Sequence, residues 1–196
     1  MGSKEWKTIG ILAVQGDFAM HAKMLDRIGA TWKLVKHAED FANIDALILP
    51  GGETTTMLKF LAERKIDDAI QRFAKENKPI FGTCAGAILM AKEVTSPEQE
   101  RLGLIDISIE RNAYGRQVDS SIQQGECPEI SDHPVEMVFI RAPIIRRVGQ
   151  GVKVLGRAGD LPVLVEQDNL LAATFHPELT ADETIHCFFL KKIIQS

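Results

Sequence analysis

The sequence has no surplus of positive charge, no paired cysteines and no long apolar run, and each absence removes a class of function. Lys plus Arg number 23 against 27 for Asp plus Glu, a formal charge of −4. Domains that chiefly neutralise a phosphate backbone are usually basic, so nucleic acid is not an expected partner. Three cysteines, Cys84, Cys127 and Cys187, stand far apart with no C-x-x-C pair. An odd, scattered set does not staple a secreted fold and points to a reducing, cytoplasmic setting. The longest uncharged run, Pro79 to Ala91, falls short of the roughly 20 residues needed to span a bilayer. Met1 to Trp6 holds no apolar segment of the kind a secretory signal requires, so neither a leader nor a membrane anchor is expected. What is present is ordinary: 196 residues, 45% apolar and 26% charged, enough for one globular domain over residues 1–196.

The first half alternates two periodicities. Thr8 to Val14 is nearly all apolar, as a strand covered on both faces should be. Phe18, Ala22, Leu25 and Ile28 then recur along one helix face, with Gly29 placed to end it. Trp32 to Val35 and Ala46 to Leu49 read as strands, and Met57, Leu58 and Leu61 as helix. Ile66, Ile70, Phe73 and Ala74 make another helical stripe that closes near Asn77. A short strand at Lys78 to Phe81 and a helix from Ala85 to Val94 follow. Such alternation implies a three-layer, flavodoxin-like α/β fold, with a mostly parallel sheet and helices on both faces. In the second half Ile105, Ile107 and Ile109 alternate with polar residues, predicting a half-buried strand. Further strands are expected at Val135 to Ile140, Val152 to Leu155, Val163 to Glu166 and Leu170 to Phe175. The turn Gln167-Asp168-Asn169 joins the last two into an antiparallel extension. Ile185, Phe188, Phe189 and Ile193 mark a final helix, and Ser120 to Pro134 reads as a loop.

Three strand ends carry the chemistry. Gly82-Thr83-Cys84-Ala85-Gly86 has the form of a nucleophile elbow, with Cys in place of the usual Ser. Glycines two residues either side of the nucleophile let the tight turn bring backbone segments together. A thiol there needs a base, and the base an orienting acceptor. Of five histidines, His21 and His186 fall inside helices and His37 and His133 near loops, which suits surface or packing roles. His176 directly follows an apolar strand, in His176-Pro177-Glu178, where Glu178 is placed to fix the imidazole tautomer. Pro50-Gly51-Gly52-Glu53-Thr54 follows another buried strand; its glycines would let backbone N–H groups approach an oxyanion, with Thr54 or Thr55 as the cap of the next helix. The loop lacks the spacing of a phosphate-binding P-loop, and no metal-ligand spacing appears, so neither a metal nor a cofactor is expected.

In this order the motifs resemble the class I, triad-type glutamine amidotransferases. The segments Leu49 to Met57, Gly82 to Gly86, Glu110 to Ser120, Phe139 to Pro143 and Phe175 to Thr180, with Gln15-Gly16, are similar to the family of glutaminase subunits of pyridoxal 5′-phosphate synthases. The resemblance implies hydrolysis of L-glutamine to glutamate and ammonia, which passes to a separate synthase subunit. It makes Cys84 the nucleophile, His176 the general base and acid, Glu178 its orienter, and the Gly52 and Ala85 N–H groups the oxyanion hole. Gly52, Glu53, Thr54, Arg111, Ile140 and Arg141 then match the glutamine-binding positions. An arginine and a carboxylate are the natural complements of a free amino acid. Thr54 stands where that family has Ser, which keeps the hydroxyl; Ser121 to Pro134 matches nothing distinctive. The resemblance also implies weak activity until the synthase docks on loops that include Gln15-Gly16-Asp17. Other readings of the residues stay open: the glutaminase of another amidotransferase, a Cys hydrolase or redox-sensing protein of the same fold, or a non-catalytic docking subunit.

Overall fold

A computed structural model describes residues 7–111 and 120–195 of the chain. Met1 to Trp6 and most of the Glu110 to Ser120 motif therefore lie outside the described residues. The first half follows the expected alternation: β1 (Thr8–Leu12), α1 (Phe18–Arg27), β2 (Thr31–Val35), β3 (Ala46–Leu49), α2 (Thr54–Glu63), α3 (Ile66–Lys75) and β4 (Ile80–Thr83). Gly29 and Asn77, the expected helix stops, both adopt positive φ just past α1 and α3. After β4 come α4 (Ala85–Met90), β5 (Ala91–Thr95), β6 (Ile105–Glu110), β7 (Ser121–Gly125), β8 (Val135–Phe139) and β9 (Ile144–Val148). The chain closes with β10 (Lys153–Ala158), β11 (Leu161–Gln167), β12 (Leu170–Ala173) and α5 (Thr184–Gln195).

Seven strands form one sheet in the order β10-β11-β12-β4-β3-β1-β2. The pairs from β12 through β2 are parallel, and β10 and β11 extend the sheet antiparallel through the turn after Gln167. Alternation along the buried strands divides the core in two. Ile9, Ile11, Ala46, Ile48 and Phe81 face α1 and α5, where Ala22, Leu25, Ile185 and Phe189 cover them. Leu12, Leu47, Leu49 and Ile80 face the other way, onto Met57, Leu61, Ile70 and Phe73 of α2 and α3. A strand with both faces covered must be apolar at nearly every position, which is why these short segments read as nearly continuous hydrophobic runs.

Three elements differ from expectation. The helix expected over Ala85 to Val94 stops at Met90, and Ala91 to Thr95 becomes a strand parallel to β6. Ala91 and Val94 are buried while Lys92 and Glu93 are exposed, so tertiary pairing overrides the helical propensity of Ala-Lys-Glu. The supposed loop Ser120 to Pro134 contains β7, paired antiparallel with β8. Its Ser-Ile-Gln-Gln-Gly sequence is polar because most of it is exposed, and this hid the strand. Strand β9, whose Ile-Ile-Arg-Arg-Val pattern buries only one end, joins β5 and β6 in a second small sheet.

Candidate active site

The strand order brings the three motifs together. β4 lies between β3 and β12, so the segments leaving their carboxyl ends converge: Gly51-Gly52, Cys84 and His176. At Cys84 the backbone takes φ 46° and ψ −101°, a conformation an L-residue adopts only when its surroundings impose it. The Cys84 N–H donates to the Ala173 carbonyl at 2.8 Å, and Ile88 N–H donates to the Cys84 carbonyl at 3.1 Å. Both flanking glycines are required. A Cβ on Gly86 would lie 2.0 Å from the Leu49 carbonyl oxygen, and one on Gly82 would lie 2.7 Å from the Gly86 carbonyl carbon. The elbow is therefore pinned between its two neighbouring strands.

His176 starts a turn of 3₁₀ helix over Pro177–Leu179, anchored by its N–H to the Val138 carbonyl at 2.8 Å. Its Nδ1 and Glu178 Oε1 are 2.8 Å apart, and both side chains are buried. Burial alone would pull the His176 pKa down. Its hydrogen bonds to Cys84 and Glu178 outweigh that and push it up to about 10. Burial likewise opposes ionisation of Glu178, but His21 and His176 beside it prevail and hold its carboxyl below the usual carboxylate range. The two other thiols are pushed up by burial, Cys127 to about 11 and Cys187 in the same direction, which disfavours their thiolate forms.

A cleft of about 320 Å³ opens over Cys84. It is lined by Gly52, Glu53, Thr54, Cys84, Ala85, Arg111, Ile140, Arg141 and His176, and Glu178 stands behind His176. Every site residue expected from the sequence is thus in or directly behind one cavity. The structure adds Gln15, Gly16, Asp17 and Ile88 to the lining. Gln15 Oε1 accepts from Glu53 N–H at 2.8 Å and packs so closely that a Cβ on Gly52 would meet it at 2.4 Å. Asp17 Oδ2 lies 3.9 Å from His176 Nδ1. Asp17, His176 and Glu178 offer ligand atoms within 4.8 Å of one another. Within this group the 2.8 Å contact between His176 Nδ1 and Glu178 Oε1 is a direct hydrogen bond.

The helix cap differs from expectation. Neither Thr54 nor Thr55 caps α2; Glu53 does, accepting from Thr55 N–H and Thr56 N–H. Hydrogen bonds from Thr56, first its hydroxyl and then its N–H, draw the Glu53 pKa down to about 2. The carboxylate also faces Arg111 Nη2 at 3.9 Å. Thr54, freed from capping, is buried and donates its hydroxyl to Gln99 Oε1 at 2.8 Å. Sequence reasoning missed Gln99, which carries no motif. It also set aside His21 and His186, both fully buried and linked to Glu178 through His21 Nε2 at 3.5 Å from Oε2. A signal existed: His21 is spaced from Phe18 and Leu25, and His186 from Phe189, to fall on the apolar faces of their helices.

The chain matches the SNO glutamine amidotransferase family over residues 11–195. It is 53% identical over 192 residues to the pyridoxal 5′-phosphate synthase subunit PdxT of Solibacter usitatus, covering 95% of this chain and all of that one. The subunit of the same name from Thermus thermophilus is 49% identical over 185 residues, 93% of this chain and 96% of its own. A crystal structure of a glutamine amidotransferase superposes with a TM-score of 0.89 at 48% identity, over 94% of this chain and 98% of that one. At 17% identity, PurLQS from Thermotoga maritima has a TM-score of 0.70 over 96% of both chains, a likeness of fold alone.

Proposed function

The chain belongs to the SNO glutamine amidotransferase family, and from that membership we propose that it hydrolyses L-glutamine to glutamate and ammonia as the glutaminase subunit of a pyridoxal 5′-phosphate synthase. The observation that carries the reading is the strained elbow of Cys84 beside the buried His176–Glu178 pair, at the floor of a cleft lined by Glu53, Arg111 and Arg141. An Arg and a carboxylate suit the α-carboxylate and α-ammonium of a free amino acid, which leaves the side-chain amide to reach the sulfur.

In this reading Cys84 and His176 react as thiolate and imidazolium. The sulfur attacks the amide carbon, and the oxyanion that forms is met by the N–H groups of Gly52 and Ala85. His176 gives its proton to the departing nitrogen, and ammonia leaves a γ-glutamyl thioester on Cys84. Water then attacks the thioester while the neutral imidazole accepts its proton; glutamate departs and the thiolate–imidazolium pair is restored. Glu178, hydrogen-bonded to Nδ1, holds the ring and favours its charged form. Thr54, Ile140 and Arg141 complete the glutamine pocket, and no metal or cofactor enters a step.

Residues 1–196 act as one domain, and the ammonia passes to a separate synthase subunit, as the names of the relatives suggest. The docking face is the carboxyl edge of the sheet, with Gln15, Gly16 and Asp17 at its rim. The setting is the cytoplasm, which suits three free cysteines; among the described residues no helix is long and apolar enough to cross a membrane. Ammonia release from glutamine, measured with and without a pyridoxal 5′-phosphate synthase subunit, tests the whole reading. Release that rises on adding the synthase is expected. No release in either case overturns the glutaminase reading, and full release without the synthase overturns partner activation.

A further inference from the structure

Behind the Cys84–His176–Glu178 line runs a second buried polar chain. His21 on α1 and His186 on α5 are both fully buried, and His21 Nδ1 meets His186 Nε2 at 3.0 Å. The other His21 nitrogen, Nε2, lies 3.1 Å from Thr83 Oγ1 and 3.5 Å from Glu178 Oε2. Glu178 Oε2 is buried with no hydrogen-bond partner, and so is His186 Nδ1. His186 and Thr83, from other parts of the chain, thus meet the two nitrogens of His21, and His21 Nε2 is the group that faces the carboxylate oxygen, in a region otherwise packed with Phe81 and Phe189.

The chain has two possible proton arrangements, and the carboxylate chooses between them. Burial lowers the pKa of both rings, that of His186 to about 3, so at neutral pH each carries a single proton. If that of His21 sat on Nδ1, its bare Nε2 lone pair would face the Glu178 carboxylate, and His186 would bury an unpaired N–H. With the proton on Nε2, His21 presents an N–H to Thr83 Oγ1 and Glu178 Oε2. Its Nδ1 then accepts from His186 Nε2–H, and only a lone pair on His186 Nδ1 goes unused. The second arrangement is the favourable one.

We propose that His21 is a positioning residue for Glu178, with His186 fixing the His21 tautomer. The His21 N–H holds Oε2 from behind, so that Oε1 stays aimed at His176 Nδ1 and the buried carboxylate stays ionised. Without a donor on that side, Glu178 is free to turn about its last bond or take up a proton, and His176 loses the partner that orients it. The titratable groups facing His21 are the carboxylates of Glu178 and Asp17 and the rings of His176 and His186. The inference rests on the reading of Cys84, His176 and Glu178 as catalytic, and its test includes a measurement that needs no glutamine.

The comparison takes the wild-type chain, His21→Leu, His21→Gln and His186→Leu. Each is assayed for ammonia release from glutamine with the synthase subunit. Each is also assayed alone, in a Cys127→Ser, Cys187→Ser background, for the pH dependence of Cys84 alkylation by iodoacetamide. His21→Leu should lower kcat by about 10- to 100-fold, a loss usual when the residue orienting a functional side chain is removed, with KM changed less than about twofold. Its alkylation should need a higher pH, because an imidazolium without a firm counter-charge holds the thiolate less well. His21→Gln, which offers an amide N–H near the place of Nε2, should recover much of the loss, and His186→Leu should show a smaller loss of the same kind. Overturning results are kcat and alkylation profiles of His21→Leu and His186→Leu within twofold of wild type, or equal losses in His21→Leu and His21→Gln. If the wild type releases no ammonia, the glutaminase reading fails, and the alkylation profiles still decide the role of His21.

Discussion

At the residue scale the site rests on a few atoms with no spare room. Cys84 is the thiol that stands at the strained elbow and lines the cleft with His176, whereas burial disfavours the thiolates of Cys127 and Cys187. Cys84→Ala should abolish ammonia release, whereas Cys127→Ser and Cys187→Ser should each keep more than half of it. Equal losses in all three would remove Cys84 from its role. His176→Asn should still unfold in a single cooperative transition yet lose turnover by about a thousandfold or more, as when a triad loses its base. Gly86 serves the packing of the elbow, since a Cβ there would sit 2.0 Å from a backbone oxygen of β3, which cannot move aside. Gly86→Ala should therefore lower unfolding stability by about 1–3 kcal/mol in urea titrations. The motif residues were legible because tight backbone approach demands glycine and acyl transfer demands a nucleophile and a base. Gln99 and His21 were not, because their roles depend on which distant side chain each touches.

At the scale of elements, the helix cap is the most informative. Glu53 both caps α2 and lines the cleft, so the residue that starts the helix also brings a carboxylate to the pocket. Glu53→Ala should lower stability by about 1 kcal/mol, the usual cost of a lost N-cap. It should also raise the KM for glutamine, a combination that a pure cap or a pure ligand would not give. Strands buried on both faces could be read from composition alone, since β1, β3 and β4 are apolar at nearly every position. Strands β5, β7 and β9 were misread or missed for the opposite reason. Each is partly exposed, and its identity comes from the partner strand it pairs with rather than from its own residues. The short helix α4 shows the same limit, because Ala91 to Thr95 has fair helix formers but a neighbour, β6, that offers a ladder.

For the whole molecule, the buried histidines tie stability to pH. His21 and His186 are neutral in the folded protein, with pKa values depressed below 6.5, to about 3 for His186. Above pH 6.5 they are neutral in both states and have no effect. As pH falls below 6.5 the unfolded chain takes up protons that the folded one refuses, so stability declines, by up to about 1.4 kcal/mol per pH unit for each ring. Glu178, with its pKa depressed, adds to the loss at lower pH. His176, raised to about 10, acts in the opposite sense, adding stability as pH falls from 10 toward 6.5 and little further below that. Urea unfolding at pH 6.5 and pH 5 should therefore show the decline, and His186→Leu should flatten it; an equal slope in the variant would separate His186 from the effect. Local pattern was enough to read the α/β class and the three strand-end motifs that hold Cys84, His176 and Glu178, because covered strands must be apolar and close turns need glycine. It took the folded chain to show that β4 lies between β3 and β12, which is what draws those motifs into one cleft. Folding also set His21 and His186 behind Glu178: helical spacing puts each on a buried face, but which groups they meet, one of them 165 positions away, is decided by the tertiary structure.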